Sequence, residues 1–312
     1  MSTTTSPRAS ELSTARDAAS RYIAPSPREL LAAVRARRSV RTFSGERLRA
    51  EHMDVITSYL ADPAAMRGPL GGRVRVALLD DVDGHREIGT YGYTKGFRSL
   101  LVAIARPEPR ALFELAYVLH GLVLHLTHLG VGTVWMGGAF NPADVVKQTR
   151  VDAGELIGAI VPLGYEGGHK RLIDYAAPLI LKATKRKPVD HSCFLGELQT
   201  PLRGRAPSLL PALDVARRAP SAKNRQSWRA VVSADERRVH IYAAFSLRDE
   251  VGTGRKQYAC SPEYLDVGTW YRSLDIALQV EGLSGTLVVA DPQLPVPDGA
   301  DLEYLATWTR DA

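Results

Sequence analysis

The sequence predicts mixed helices and strands in which one order of elements occurs twice. Three observations carry this. An amphipathic segment, Glu51 to Leu60, leads through a Pro/Gly-rich loop into the strand-like run Val74 to Leu79, and an apolar segment at Leu209 to Ala216 leads through a polar loop into Ala230 to Val232. Two long apolar segments, Leu112 to Leu129 and Tyr264 to Val280, are each followed by glycines, a threonine and a short strand. Asp54-Val55 and Asp214-Val215 stand at similar positions before the two loops, which adds an internal-repeat signal.

The chain of 312 residues is 45% hydrophobic and 24% charged, as expected of a globular protein able to bury a large core. Its formal charge of +6 suits nucleic acid, an anionic cofactor or an arginine-rich surface, and composition does not choose among them. Cys193 and Cys260 stand far apart, outside any Cys-x-x-Cys spacing, which argues against a disulfide framework and a structural zinc site. That usage fits a cytoplasmic protein. Residues 1–24 are expected to form a mobile tail: they lack the apolar core of a secretory signal and carry Glu11 and Asp17. Leu112 to Leu129 contains Glu114, His120, His125 and His128, so a buried helix is expected rather than a membrane span.

Taken in order, Glu29 to Arg38 has helical composition and runs into Arg37-Arg38-Ser39-Val40-Arg41-Thr42-Phe43. Three arginines and a serine within five residues suit either phosphate oxygens or a solvated helix end. The loop Asp62 to Gly72 contains no Asn, Gln, Ser or Trp. Leu100 to Ala105 reads as a buried strand, with Tyr91, Tyr93, Lys95 and Arg98 before it. After the first long helix comes Gly130-Val131-Gly132-Thr133-Val134-Trp135-Met136-Gly137-Gly138, whose glycines permit a ligand to approach the backbone. A helix precedes these glycines, which disfavours a dinucleotide-binding fingerprint. His125 and His128 lack a third ligand at a sensible spacing, so no metal is expected.

Ile157 to Leu163 reads as a strand whose Pro162 suits an edge or a strand end. Gly164 to Arg171 follows, with Lys170 and Arg171 as further cations, and Lys182 to Arg205 reads as a basic connection. The loop Ala219 to Trp228 reads Ala-Pro-Ser-Ala-Lys-Asn-Arg-Gln-Ser-Trp. Its hydroxyl and amide side chains could read a planar ligand, or form an ordinary polar turn. Strands are expected over Val239 to Ala244 and Leu287 to Ala290.

The segments 37–43, 129–138 and 219–228 together make the chain resemble the FMN-dependent nitroreductases, in particular single-chain members in which two nitroreductase-like halves form a pseudo-dimer. The resemblance spans about residues 28–290 and implies an α+β fold. Each half would carry a mainly antiparallel sheet flanked by helices, with the long helices at the centre. It divides the chain into a tail (1–24), a first half (25–184), a connecting segment (185–207) and a second half (208–312).

The resemblance implies one FMN site between the halves. Arg37, Arg38, Ser39 and Arg41 would hold the phosphate with Arg171. Trp135, Met136, Gly137 and Gly138 would approach the flavin's reactive edge. Pro220, Ser221, Ala222 and Asn224 would meet the ring and ribityl chain from the second half. The two motif sets are split between the halves, so one complete site of a possible two is expected. Ser227 departs from the family's usual proline, and Gly137 stands where some members have an acid.

The function implied is transfer of electrons from NAD(P)H through FMN to a small organic acceptor such as a nitroaromatic or quinone, by a cytoplasmic monomer. Neither nucleic acid nor membrane is an expected partner. Tyr91, Tyr93, Trp135 and Trp228 are candidates to shape the substrate side. The alternatives are a flavin-sequestering protein with little turnover and a flavin-dependent oxidase or dehydrogenase acting on a specialised metabolite. No catalytic acid-base pair is assigned.

Overall fold

A computed structural model describes residues 22–83, 87–182, 185–246 and 258–312. Glu11, Asp17 and most of the expected tail lie outside the described residues. The first helix, α1 (Pro27–Ala36), starts where the sequence provides both signals for it: Ser26 accepts from the Glu29 N–H, the Glu29 carboxylate accepts from the Ser26 N–H at 2.8 Å, and Pro27 opens the first turn. Leu30, Leu31, Ala33 and Val34 form its buried face. Helix α2 (Ala50–Ala61) follows, burying His52, Ile56 and Tyr59.

One four-stranded antiparallel sheet contains β1 (Arg75–Leu79), β2 (Ser99–Ala105), β3 (Gly132–Thr133) and β4 (Leu156–Gly164), in the order β1-β2-β4-β3. Between β2 and β3 runs the long helix α3 (Pro109–His128); a short α4 (Pro142–Val146) precedes β4, and α5 (Leu172–Ile180) follows it. The second sheet contains β5 (Cys193–Leu195), β6 (Trp228–Val232), β7 (Arg238–Ala244), β8 (Gly285–Val288) and β9 (Leu302–Arg310), ordered β5-β6-β7-β9-β8. A short α6 (Leu210–Ala216) precedes β6, and the second long helix, α7 (Pro262–Val280), lies between β7 and β8.

Removing β5 leaves β6-β7-β9-β8, the same antiparallel order as β1-β2-β4-β3. Both sheets also carry a register shift in the equivalent pair, at Ala103/Ile104 in β2 and at Ile241/Tyr242 in β7. The repeated order of elements in the sequence therefore corresponds to a repeated topology.

Helices α3 and α7 pack side by side and join the two sheets. Gly268 lies at their close approach: a Cβ there would stand 2.3 Å from the Phe113 carbonyl oxygen and 2.7 Å from Ala116 Cβ. Among the described residues, α3 alone is long and apolar enough to cross a membrane, and it is largely buried inside the protein. Its all-round apolar surface is satisfied by sheet on one side and helix on the other. Helix α1 packs against both long helices, so a segment before the first sheet also binds the helix of the second.

Three sequence expectations change. The basic connection between Lys182 and Arg205 contributes β5, which pairs parallel with β6. Strand β9 was not anticipated, although Leu305, Ala306, Thr307 and Trp308 are buried in it and it is interior to its sheet. Pro162 lies within β4, an interior strand, opposite Leu100. Ile160 bonds on its β3 side to Met136, and alternation turns the imide nitrogen of Pro162 to that same side, where the partner strand is only two residues long. Both cysteines are buried and unpaired.

Candidate functional site

A cavity of about 840 Å3 opens between the first sheet, which contributes Ala159, and helix α7 with the loop that precedes β6. Arg37, Ser39 and Arg41 line one part of it, Trp135, Met136, Gly137 and Gly138 another, and Pro220, Ser221, Ala222 and Asn224 a third. The structure therefore brings together three segments that lie as far as 187 positions apart in the chain.

The basic segment is extended because its neighbours pair with it. Val40 N–H donates to the Thr133 carbonyl at 2.9 Å, Phe43 N–H to Lys95 at 2.8 Å, and Gly167 N–H to Thr42 at 2.9 Å. Gly96 makes this possible: its φ is +81°, and a Cβ there would meet the Phe43 oxygen at 2.4 Å. With residues 39–43 held in this way, Arg41 is only 5% exposed and lies over the Tyr93 ring at 5.1 Å.

Two members of the expected phosphate set stand elsewhere. Arg38 is exposed and forms a two-pronged ion pair with Glu166, outside the cavity lining. Arg171 faces backbone oxygens: its Nη1 donates to Gly92 at 3.0 Å, its Nη2 to Arg41 at 3.2 Å, and its Nε to the Thr42 hydroxyl at 2.8 Å. Arg171 thus braces the segment carrying Arg41 instead of lining the cavity. Arg186, read from sequence as part of a solvated connector, takes a place in the lining.

Among the described residues, buried Arg37 Nη1 and Arg41 Nε have no hydrogen-bond partner. Burial pushes Arg37 down to about 10, and the neighbouring charges of Arg186 and Arg41 act in the same direction. An anion here would satisfy both nitrogens and relieve the like-charge crowding.

The loop over Pro220–Asn224 is built differently from the simple polar reader expected. Lys223, Asn224 and Gln226 all have positive φ, at 50°, 55° and 57°. The side chains hold this backbone: Ser221 Oγ accepts from Gln226 N–H, and Asn224 Nδ2 donates to the Lys182 and Lys185 carbonyls at 2.7 and 2.9 Å. Asn224 Oδ1 accepts from Arg186 at 3.0 Å. The amide expected to read a ligand is thus committed to the protein. Helix α7 also secures the loop, with Thr269 Oγ1 donating to the Pro220 carbonyl and Asp266 Oδ1 accepting from Ala222 N–H at 2.8 Å.

Asp266 was missed from the sequence, as were Pro262, Leu265 and Thr269; all four line the cavity. Their spacing places them on one face of α7, and an acid and a threonine on a face with Leu265 was the available signal. Burial holds the Asp266 carboxyl well above the usual range, with the Ala222 N–H opposing that shift. Its Oδ2 is buried without a hydrogen-bond partner among the described residues.

Met136 exchanges both its backbone hydrogen bonds with Ile160, so its own main-chain N–H is already committed within the protein. Gly137 lies under Tyr258, whose ring carbons would be 3.5 Å from a Cβ. Tyr91, Tyr93 and Trp135 line the cavity. Trp228 does not: it is fully buried and stacked on Trp270, with ring centroids 6.2 Å apart. Nor is Arg98 a spare cation, because it pairs with Asp81.

Residues 29–268 match the family model described as "Putative TM nitroreductase". The chain belongs to this nitroreductase family and is an oxidoreductase by class. A Thermotoga maritima protein described as a "putative nitroreductase" has a similar structure, with a TM-score of 0.55 at 17% identity, covering 92% of this chain and 94% of its own. A Bacteroides fragilis nitroreductase solved with bound FMN is 18% identical with a TM-score of 0.37, and covers 46% of this chain and 91% of its own. No curated protein matches the sequence.

Proposed function

We propose that the cavity binds one FMN per chain and that the protein passes electrons from a reduced nicotinamide to a small conjugated organic acceptor. The observation that carries this reading is the pair of buried nitrogens on Arg37 and Arg41, without hydrogen-bond partners among the described residues, in a cavity whose lining also includes Tyr93, Trp135, Gly137, Gly138 and Leu265. Guanidinium groups there fit a phosphate monoester. Ser39 adds a hydroxyl to the same lining.

Bound FMN would supply the redox chemistry, accepting hydride at N5 from NAD(P)H and returning two electrons to the acceptor. The chain's own residues bind and orient. Arg37 and Arg41 would fix the phosphate, while Trp135, Tyr93 and Leu265 in the same lining would exclude water. The Pro220–Asn224 loop, locked by Asp266 and Thr269, presents a fixed surface to the ligand. In this reading the halves, residues 25–184 and 208–312, act as a pseudo-dimer within a cytoplasmic monomer.

The test is the visible spectrum and flavin content of the isolated protein, followed by anaerobic addition of NADPH or NADH. One FMN per chain, bleached by a reduced nicotinamide and recovered with a nitroaromatic or quinone, is expected. Two flavins per chain, or none after reconstitution, overturns the single-site reading. A flavin bleached by neither donor indicates a sequestering protein or an oxidase fed by its own substrate.

A further inference from the structure

We infer that Asp266 is a flavin-binding residue, whose carboxylic acid donates a hydrogen bond from Oδ2 to an uncharged lone pair of the isoalloxazine ring, on a carbonyl oxygen or a ring nitrogen. This inference rests on the FMN reading and assigns a contact within that same cavity. Asp266 is 5% exposed, and it is the one carboxyl among the described lining residues. Its Oδ1 already accepts from Ala222 N–H at 2.8 Å, whereas Oδ2 is buried without a hydrogen-bond partner among the described residues.

Helix α7 places this oxygen. Pro262, Leu265, Asp266 and Thr269 share the face of α7 that lines the cavity. Thr269 Oγ1 donates to the Pro220 carbonyl at 2.9 Å while Asp266 Oδ1 holds Ala222, so the loop is fastened to the helix on either side of Ser221. The first oxygen thereby anchors the carboxyl and leaves the second for a ligand. A buried polar atom in a cavity wall costs free energy until a partner satisfies it.

The surroundings keep the proton on. Burial raises the carboxyl well above its ordinary range; Ala222 N–H opposes this, the charge of Glu263 on the preceding turn of α7 adds to it, and the Ser227 hydroxyl opposes it. The other charged residues of the lining are Arg37, Arg41, Arg186 and Lys223, and none forms an ion pair with Asp266. Charge then separates the two kinds of donor in the cavity. Guanidinium groups suit the phosphate, whereas a neutral acid suits an acceptor without net charge. The isoalloxazine ring presents such acceptors along its carbonyl-bearing edge. An ionised Asp266 would turn a lone pair toward theirs and repel them.

The probe is riboflavin, which has the ring without the phosphate. Added to the full chain after removal of its flavin, it should shift the C=O stretch of a protonated carboxyl in the infrared difference spectrum. Isotopic labelling of aspartate assigns the band, which should be absent from Asp266→Asn. Riboflavin affinity of the parent should fall by roughly tenfold or more as pH rises across the range in which that band is lost. Asp266→Asn keeps an acceptor for Ala222 and offers an N–H to the ring, so its affinity should stay within about threefold of the parent's low-pH value at every pH. Riboflavin that binds without moving the band overturns the inference, as does a band moved by FMN alone, which gives the contact to the phosphate. A parent affinity that is flat across that range, or that rises as the carboxylate forms and accepts from the ring N–H, also overturns it. Protein that takes up neither FMN nor riboflavin overturns the flavin reading together with this contact, whereas bound flavin with an unmoved band overturns the contact alone.

Discussion

Glu114 on α3 and Asp266 on α7 occupy equivalent positions, and their carboxyls accept from the loops that lead into β1 and β6 respectively. Each stands 16 residues before the left-handed glycine, Gly130 or Gly282, that ends its helix. Glu114 Oε1 accepts from Leu70 and Gly72 N–H groups, both at 2.9 Å, whereas Asp266 Oδ1 accepts from Ala222 N–H. Their consequences differ. Glu114 fills its own loop so closely that a Cβ on Gly68 or Gly72 would fall within 2.5 Å of its oxygens. The shorter Asp266 leaves Oδ2 in a cavity wall without a hydrogen-bond partner among the described residues.

Glu114→Ala should destabilise the protein by about 1–3 kcal/mol, because two backbone donors lose their acceptor. Urea unfolding would measure the loss. Flavin affinity should be unchanged, since Glu114 lies outside the cavity lining.

Asp266→Asn should gain stability relative to the parent as pH rises. Burial raises the native carboxyl above its unfolded value, so the parent's contribution from this group is full below pH ~4 and is lost as pH rises toward the native value. Within that window the advantage of Asn should grow by about 1.4 kcal/mol per pH unit. Unfolding at pH 5 and pH 8 checks this; a constant difference would mean that the native carboxyl is not raised.

Arg41→Ala should weaken FMN binding by roughly tenfold to a hundredfold, corresponding to about 1.5–3 kcal/mol for a hydrogen bond to a charged group. Fluorescence titration with FMN and riboflavin separates the causes. Riboflavin lacks the phosphate, so its affinity should change little; equal losses for both ligands would show a collapsed cavity.

The sequence made the basic and glycine segments legible through short-range spacing, and the long helices through sustained apolar periodicity. The cavity members on α7 were harder to find, because Asp266 and Thr269 stand among core residues and only their neighbour across space gives them a role. Strand β9 was hidden behind a stretch with Pro292, Pro295 and Pro297 that reads as an end to structure. Asn224 illustrates a different limit. Its residue type suited a ligand contact, but Arg186 and the carbonyls of Lys182 and Lys185 take up its amide.

Gly268→Ala should cost about 1–3 kcal/mol or more, since the added methyl meets the α3 backbone and overpacks a close helix contact. Thermal unfolding would show the loss. Because α7 carries Pro262, Leu265, Asp266 and Thr269 into the cavity, the variant should also release flavin more readily.

Arg41, which follows α1, and Asp266, on α7, both line the cavity, and a single polypeptide carries both. Assembly of the site is therefore a first-order event. Ligand affinity should not depend on protein concentration, as it would if two separate chains had to meet, and extreme dilution should leave the pocket whole.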